Sequence, residues 1–160
     1  MSSKYIKFVV GGEPTGKGRP RFSTHGGFVR THTDKKTESY EAKVIYSYHQ
    51  HHEDMEFEVK DMIHARITAY YLIPKSCYVY HKKTNTTDLT KIGQDMANDF
   101  IRPTKKPDCD NIAKIILDAL NGIAYHDDSQ VVGLEVEKYY DSHARVEVEL
   151  WTKDITCHEI

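Results

Sequence analysis

The sequence predicts an α+β fold, a single domain in which helices pack on a mixed β-sheet. Segments with the alternating polarity of strands and segments with the period of amphipathic helices follow one another along the chain. The length of 160 residues suits one domain with a sizeable core, and no internal repeat or low-complexity segment divides it. We therefore expect residues 1–160 to form one folded unit.

The N-terminal half of the sequence predicts a strand, a hairpin and a long helix. Tyr5 to Val10 has the β-branched and aromatic composition of a strand. Gly26-Gly27 is typical of the turn of a β-hairpin. A helix is expected from Thr33-Asp34 to about His49, because apolar residues recur there at fourfold spacing. The expected buried stripe consists of Tyr40, Val44 and Tyr48.

The next part of the chain predicts the centre of the sheet and a long loop. Residues 57–73 alternate in polarity and are expected to form one long strand. Ser76 to Thr104 is polar and irregular, with a short helix around Leu89 to Phe100. We expect residues 76–104 to form a mobile loop that orders on a bound ligand, with an inert surface loop as the equal alternative. The inward face of the long strand is expected to hold Val59, Ile63, Ala65, Ile67, Ala69, Tyr71 and Ile73.

The C-terminal part predicts a hairpin, and the composition predicts a soluble protein. Val131 to Tyr140 and Ala144 to Trp151 alternate as two strands joined by a short turn. Hydrophobic residues make up 39% of the chain and charged residues 29%. No apolar run approaches the ~20 residues that cross a membrane, and the three cysteines show no paired spacing. We expect a cytoplasmic protein with no membrane partner.

The segment from Lys105 to Gln130 carries the strongest functional signal. It begins with Asp108 and Asp110 and ends with Asp127 and Asp128. Between the two pairs an amphipathic helix is expected from Asn111 to a stop at Asn121-Gly122, with the apolar stripe Ile112, Ile115, Ile116 and Ala119. In an extended segment, side chains at i and i+2 point the same way, so the first two aspartates can face one point. The turn after the helix could carry the last two aspartates back toward them. The sequence therefore predicts a cluster of carboxylates.

Grouped carboxylates of this kind predict a site for a divalent metal ion. Mg²⁺ and Mn²⁺ prefer oxygen ligands, and converging aspartates are costly without a cation. Lys114 lies one turn beyond Asp110 and could reach a phosphate oxygen beside the metal. Each residue alone has a simpler explanation: Asp110 as a helix N-cap, Asp110 and Lys114 as an ordinary ion pair, and Asp127-Asp128 as a solvated turn. Together they favour metal chemistry.

The segment PDCDNIAKIILDALNGIAYHDDSQVV resembles the signature of the RusA-type Holliday junction resolvases, endonucleases common in phages and prophages. The shared features are the D-x-D-N start, a lysine four residues after the second aspartate, the D-A-L helix end and D-D-x-Q-V before a strand. The stretch PTGKGRPRF and the strand ending IPKS are more loosely similar.

The resemblance implies a RusA-like fold and a set of site residues. Asp108, Asp110 and Asp128 would hold Mg²⁺, for which Mn²⁺ could substitute, and Lys114 would be the essential lysine. Asp127 is possible as the ligand in place of Asp128. The implied activity is cleavage of four-way or branched DNA by paired symmetric nicks, in recombination and repair. A four-way junction is two-fold symmetric, so a homodimer with two sites is expected. The ligand on which residues 76–104 are expected to order is then this DNA.

A basic arm is expected at residues 11–36, although the formal net charge of the chain is −2. From Thr15 to Lys36 there are six lysines and arginines and one acid, Asp34. Such a surplus suits contacts with phosphates, although a solvated hairpin would account for it too. The expected DNA-binding residues of the arm and of the acidic motif are Lys17, Arg19, Arg21, Lys105 and Lys106.

Other functions fit the sequence less well. Gly11, Gly16 and Lys17 match a phosphate-binding loop, but Gly18 stands where Ser or Thr should bind Mg²⁺, so no nucleotide cofactor is expected. The PD-(D/E)xK nuclease motif fails because Val136 occupies the position of an acid. A non-catalytic module that binds DNA or a phage protein remains the alternative to an enzyme.

Overall fold

A four-stranded sheet organises the computed structural model, which describes residues 3–18, 21–25, 28–32 and 34–152 and no side chains between 21 and 33. The strand order is β1-β8-β4-β7. Strand β4 runs parallel to β7, whereas β8 is antiparallel to both β4 and β1. The sheet is therefore mixed, and the predicted α+β class is confirmed. Its strands are β1 (Tyr5–Gly11), β4 (Ile63–Leu72), β7 (Val131–Asp141) and β8 (Arg145–Thr152).

Two helices cover one face of this sheet. They are α1 (Lys35–His49) and α3 (Cys109–Leu120), and they pack against each other as well as against the strands. Alternate residues of the strands point toward them, because successive side chains of a strand face opposite sides. The helix stripes predicted from the sequence are buried in this core: Tyr40, Val44 and Tyr48 of α1, and Ile112, Ile115, Ile116 and Ala119 of α3.

The central strand β4 is shorter than the sequence predicted. It begins at Ile63, and its inward residues from Ile63 to Tyr71 are buried as expected. Residues 57–62 are not part of it, because Asp61 N–H donates to the carbonyl of Glu58 and turns the chain. Val59, expected on the inward face, is therefore 68% exposed.

Small elements occupy two regions outside the main sheet. Strands β2 (Arg21–His25) and β3 (Phe28–His32) pair as the predicted antiparallel hairpin, with Gly26 and Gly27 outside the described residues. The region expected to be irregular contains a second hairpin, β5 (Tyr78–His81) and β6 (Thr86–Leu89). Helix α2 (Lys91–Ala97) follows within the predicted helical segment. Residues 76–104 therefore have regular structure, while their mobility stays a prediction.

Candidate active site

The candidate site is built at the start of helix α3. Asp108 is the N-cap residue, with φ −74° and ψ 159°, and its side chain makes no capping hydrogen bond. Asp110 lies in the first turn, and both carboxylates are exposed. The expectation of an extended segment is wrong here, because the helix already begins at Cys109. The two acids are nevertheless close neighbours at an open helix end, where the helix dipole favours negative charge.

Lysines surround this helix start. The ammonium of Lys138, on β7, donates to the carbonyl oxygens of Pro107 at 3.0 Å and of Lys105 at 2.5 Å. The ammonium of Lys105 lies 4.8 Å from the centre of the Tyr71 ring, and that of Lys138 lies 5.5 Å from it. Lys106 is exposed beside them. The acids therefore face solvent in a locally basic environment, although the chain as a whole is slightly acidic.

A buried phenol, that of Tyr71, lies near Asp108. Tyr71 is 1% exposed, and its hydroxyl has no hydrogen-bond partner among the described residues. Burial raises the pKa of Tyr71 to about 12, and the negative charges of Glu13 and Asp108 act in the same direction. The phenol is therefore neutral at physiological pH. It has one hydrogen to donate and contributes no charge to the site.

A cleft of about 580 Å³ separates the start of α3 from the basic arm. The first residues of both α1 and α3 line it, so two helix N-termini with their partial positive charge face the same space. The arm is held at the cleft by its backbone: Lys17 N–H donates to the carbonyl of Asn111, and Gly18 N–H donates to the hydroxyl of Thr37. The lining includes Thr15, Lys36, Lys106 and Asp108.

The second pair of acids lies at the other end of α3. Asp127 caps a short 3₁₀ turn at Asp128–Gln130, and its carboxylate accepts from Ser129 N–H at 2.8 Å. Hydrogen bonds from the side chain and from the backbone N–H of Ser129 lower the pKa of Asp127. Gln130 completes the turn and fastens it to the carbonyl of Glu58 at 2.7 Å. Asp127 and Asp128 are both exposed, but only the carboxylate of Asp127 caps the turn.

The two pairs of acids are far apart within one chain. Helix α3 has 12 residues and is therefore about 18 Å long, with Asp108 before its first residue and Asp128 beyond its last. The turn after the helix does not return the chain to its start, because Gln130 anchors it beside the beginning of β4. Within the described residues, no group of three His, Cys, Asp or Glu side chains could hold a metal ion. One chain alone therefore does not present the predicted three-carboxylate site.

Comparison with known proteins identifies the family. The family model described as Endodeoxyribonuclease RusA matches residues 11–151. This chain belongs to the RusA endodeoxyribonuclease family. The match includes both pairs of acids, Lys114 and the whole basic arm.

Two curated relatives are similar to this RusA-family chain, and one of them carries the RusA name. An uncharacterized protein of Bacillus subtilis, YqaN, is 37% identical over 143 residues, which cover 89% of this chain and 93% of the relative. The crossover junction endodeoxyribonuclease RusA of Lactococcus phage r1t is 42% identical over 48 residues, covering 29% of this chain and 37% of that protein. Across the described part of this RusA-family chain, no helix is both long enough and apolar enough to cross a membrane.

The DNA-binding residues predicted for this RusA-family chain have different surroundings. Lys105 and Lys106 are exposed next to Asp108. Lys17 is partly buried, and its ammonium contacts the carboxylates of Glu41 and Asp118. Arg19 and the side chain of Arg21 lie outside what the structure describes. All five DNA-binding roles stay predictions.

Sequence reasoning missed Lys138. The inward positions of β7 alternate as Leu134, Val136, Lys138 and Tyr140, as their pairing with the inward residues of β4 shows. A lysine among the apolar residues that face the helices could have been noticed in the sequence. An ammonium that is partly buried needs hydrogen-bond acceptors, so such a lysine predicts a specific contact. Lys138 finds them in the backbone just before Asp108. In this way β7 helps to position the RusA-family acids at the helix start.

Proposed function

We propose that this RusA-family protein is a metal-dependent endodeoxyribonuclease that cuts four-way or otherwise branched DNA by paired symmetric nicks. The proposal includes a homodimer acting in the cytoplasm, in the recombination and repair of phage or prophage DNA. The observation that carries it is the open start of α3, where Asp108 and Asp110 are exposed among lysines. The family match over residues 11–151 supports the same activity.

The lysines near the two acids suit a nucleic-acid substrate. A DNA backbone that approaches Asp108 and Asp110 is repelled by them unless cations compensate. Lys105 and Lys106 are exposed at this place and are proposed to contact phosphates. Lys114, one turn further along α3 and exposed, is proposed to offset charge that develops on the scissile phosphate.

Dependence on Mg²⁺, with Mn²⁺ as a substitute, is part of the proposal. It rests on the oxygen-donor chemistry of Asp108, Asp110 and Asp128, with Asp127 less available because its carboxylate caps a turn. The carboxylates of one chain do not by themselves fit a metal ion, since Asp128 lies at the far end of α3.

Cleavage of a synthetic four-way junction, each strand labelled in turn, tests the proposal. The wild-type protein should make paired nicks with Mg²⁺ or Mn²⁺ and none with EDTA, and should leave a linear duplex of the same sequence intact. Asp110→Asn should lose about 100-fold in nicking rate while still binding the junction. Glu53→Gln is the control, because Glu53 is an exposed acid just beyond the end of α1 and outside the segments expected to contact DNA. Wild-type cleavage by Asp110→Asn would refute the assigned role.

A non-catalytic DNA-binding module is the second candidate function. The separation of the acid pairs within one chain favours it, because a site that never assembles cannot cut. This candidate predicts that the wild-type protein binds the junction but leaves every strand intact with Mg²⁺, Mn²⁺, Ca²⁺ or Co²⁺. The same labelled junction therefore distinguishes the two functions.

A further inference from the structure

We propose that the cleft between the basic arm and the starts of α1 and α3 binds one phosphodiester of the DNA strand, beside the phosphodiester that is cut. The N–H groups at the two helix starts and the ammonium groups of Lys36 and Lys106 would hold it. This inference rests on the proposed function. It names a phosphate site that differs from the acids expected to bind a metal ion.

The cleft has the size and the fixed walls of a binding site. Its volume of about 580 Å³ lies within the range of ~300–1,000 Å³ that is typical of ligand sites. Lys17 N–H donates to the carbonyl of Asn111 on α3 at 3.1 Å, and Gly18 N–H donates to the hydroxyl of Thr37 on α1 at 3.0 Å. A Cβ at Gly18 would lie 2.6 Å from Oγ1 of Thr37, so the arm lies close to the helix. The arm and both helix starts therefore form the walls before a ligand arrives.

Neither helix start at the cleft has a side-chain cap. Asp34 is the N-cap residue of α1 and Asp108 is that of α3, and neither carboxylate makes a capping hydrogen bond. The first N–H groups of a helix have no acceptor within the helix, so a cap, water or a ligand has to supply one. Each helix N-terminus also carries about half a positive charge. Two uncapped ends at one cleft therefore favour an anion that brings its own acceptors.

Two buried phenols next to the cleft also have no acceptor. Tyr40 is 7% exposed and Tyr71 is 1% exposed, and neither hydroxyl has a hydrogen-bond partner among the described residues. Tyr40 lies beside the backbone of Thr15 and Tyr71 lies near Asp108, and both of these neighbours line the cleft. Burial raises the pKa of both phenols, so each keeps its hydrogen at neutral pH. Buried donors without an acceptor are uncommon, and these two indicate a ligand that supplies acceptors, directly or through bound water.

The charges that line the cleft favour a phosphodiester over a nucleotide with several phosphates. The ammonium of Lys17 is already bound to Glu41 and Asp118. The other charged lining residues are two lysines and two aspartates, whose formal charges cancel: Lys36, Lys106, Asp34 and Asp108. The two helix N-termini then add about one positive charge in total. This matches the single negative charge of a backbone phosphate, whereas a nucleoside triphosphate would bring several negative charges toward two carboxylates.

The cleft opens beside the acids of the candidate site. Asp108 lines it and lies two residues before Asp110. A DNA strand that is cut at these acids passes the mouth of the cleft, where a neighbouring phosphate can enter. Lys36 brings a cation to this phosphate from α1, a helix that carries none of the acids of the candidate site. Lys36 is therefore a positioning residue, because a strand held at a second phosphate cannot slide along the acids.

Junction binding in EDTA tests the site without any cleavage. Lys36→Gln should bind the labelled four-way junction about five- to tenfold more weakly than the wild type. Between about 0.05 and 0.2 M salt, the slope of log K against log salt concentration should become less steep by about 0.9, the value for one lost phosphate contact. Lys36→Arg keeps the cation and should bind like the wild type. An unchanged affinity and slope in Lys36→Gln would overturn the site.

A neutral phosphate analogue is the decisive probe. Single methylphosphonate linkages, which carry no charge, replace in turn the phosphates of one strand on both sides of the branch point. In the wild type, one of them should weaken binding by about the same factor as Lys36→Gln. The same linkage should weaken the binding of Lys36→Gln no further, because the contact is already lost. Independent effects of Lys36→Gln and of the linkage at every position would overturn the phosphate site.

Lys43→Gln is the matched control for both measurements. Lys43 is an exposed lysine of the same helix, about two turns beyond Lys36 and away from the cleft. Its replacement removes the same charge, but it should change junction affinity by less than about twofold and leave the salt slope unaltered. The methylphosphonate effect should remain complete in Lys43→Gln. Equal behaviour of the two variants would show that Lys36 acts only through the overall charge, and would overturn the site.

Two further outcomes separate this site from a nucleotide site and from the proposed function. Calorimetric titration of the wild type with ATP should show no binding at millimolar concentration. Binding of ATP that is lost in Lys36→Gln would assign the cleft to a free nucleotide and overturn the DNA phosphate. A wild-type protein that binds the junction but cuts no strand would refute the proposed function, and the methylphosphonate series would still test the cleft. Paired nicks by the wild type without any coupling between Lys36→Gln and a linkage would overturn the cleft site alone.

Discussion

Lys17 and Asp118 fasten the basic arm to helix α3: Nζ of Lys17 lies 3.0 Å from Oδ2 of Asp118. The same ammonium contacts the carboxylate of Glu41 on α1. One lysine thus joins the arm to both helices, next to the cleft at the start of α3. Burial disfavours its charge, but the hydrogen bonds to Glu41 and Asp118 outweigh burial and raise the pKa of Lys17 above its usual 10.5.

Replacing Lys17 should destabilise the protein even before DNA is considered. Lys17→Met removes the cation and leaves two carboxylates facing each other, so we expect a loss of about 1–2 kcal/mol in the free energy of unfolding. Urea denaturation at pH 7 measures it. Lys36→Met, which alters an exposed lysine at the same cleft, should change stability by less than about 0.5 kcal/mol. Equal stability of the two variants would show that Lys17 is free for phosphate.

The stabilisation by the ion pairs of Lys17 should depend on pH, because the pKa of Lys17 is raised in the folded protein. A group whose pKa is raised on folding stabilises the folded state below its unfolded pKa and loses that effect as the pH rises through the folded value. The difference in the free energy of unfolding between wild type and Lys17→Met should therefore be constant from pH 7 to pH 9. It should decrease above about pH 10.5. Urea denaturation at each pH measures the free energy of unfolding of both proteins. A difference between them that already decreases between pH 7 and pH 9 would contradict this prediction.

Gly16 should be sensitive to any side chain. A Cβ there would lie 2.7 Å from Cβ of Pro107 and 3.1 Å from Cβ of Asn111, so it would push the arm away from the start of α3. Gly16→Ala should cost about 1–3 kcal/mol in the free energy of unfolding. Gly11→Ala is the control, because a Cβ at Gly11 meets nothing within 4 Å. Thermal denaturation of both variants makes the comparison, and equal melting temperatures would mean that the arm does not pack closely there.

The sequence alone was sufficient to predict the helices and strands that pack in the core. Strands β1, β7 and β8 and helices α1 and α3 lie where alternation and helical spacing placed them, to within one or two residues. These elements bury a regular face, and burial leaves a periodic pattern in the sequence. The β5–β6 hairpin was missed because its two four-residue strands are largely exposed. Without a buried face, they carry no such pattern.

The candidate site was predictable in its residues but not in its geometry. The spacing of Asp108, Asp110 and Lys114 is readable, because all three lie on one short segment. The position of Asp128 depends on Gln130, whose bonds to the carbonyls of Glu58 and Asp61 hold the turn far from the helix start. Such contacts join residues about 70 positions apart, and no local pattern encodes them.

Removing the hydroxyl of Tyr71 should not destabilise the protein, although the hydroxyl is buried. Tyr71→Phe deletes a buried donor that has no acceptor among the described residues, so stability should stay unchanged or rise by up to about 1 kcal/mol. Tyr48→Phe is the matched control, since its buried ring carries a hydroxyl that donates to the carbonyl of Asp54 at 2.7 Å. The control should lose about 1 kcal/mol. A loss at Tyr71 as large as that at Tyr48 would reveal a bound partner.

Arg145 joins several groups at the end of β8. Its guanidinium binds Asp141 at 2.5 Å and Glu147 at 2.9 Å, and lies 3.8 Å from the centre of the Tyr70 ring. The hydrogen bond from Arg145 lowers the pKa of Asp141. Burial opposes the charge of Glu147, but Arg145 and Lys7 outweigh it and lower that pKa as well.

Low pH should therefore reduce the free energy of unfolding, partly because the ion pairs of Arg145 with Asp141 and Glu147 are lost. A carboxyl group whose pKa is lowered on folding stabilises the folded state above its unfolded pKa, and the effect is lost as the pH falls through the folded value. At pH 7, Arg145→Met should lose about 1 kcal/mol, a modest figure because the ion pairs are partly exposed. This difference in the free energy of unfolding should stay constant from pH 7 down to pH 5. It should become smaller below the ordinary pKa values, 3.8 for Asp141 and 4.5 for Glu147.

Urea denaturation at several pH values from 7 to 3 distinguishes these ion pairs from the packing of the same side chain. The contact between Arg145 and the Tyr70 ring persists in acid, so a smaller difference should remain at pH 3. Arg66→Met is the control, because its pair with Glu135 is more exposed and should contribute little at any pH. If the loss in Arg145→Met were the same at pH 3 as at pH 7, the stabilisation would come from the aromatic contact rather than from Asp141 and Glu147.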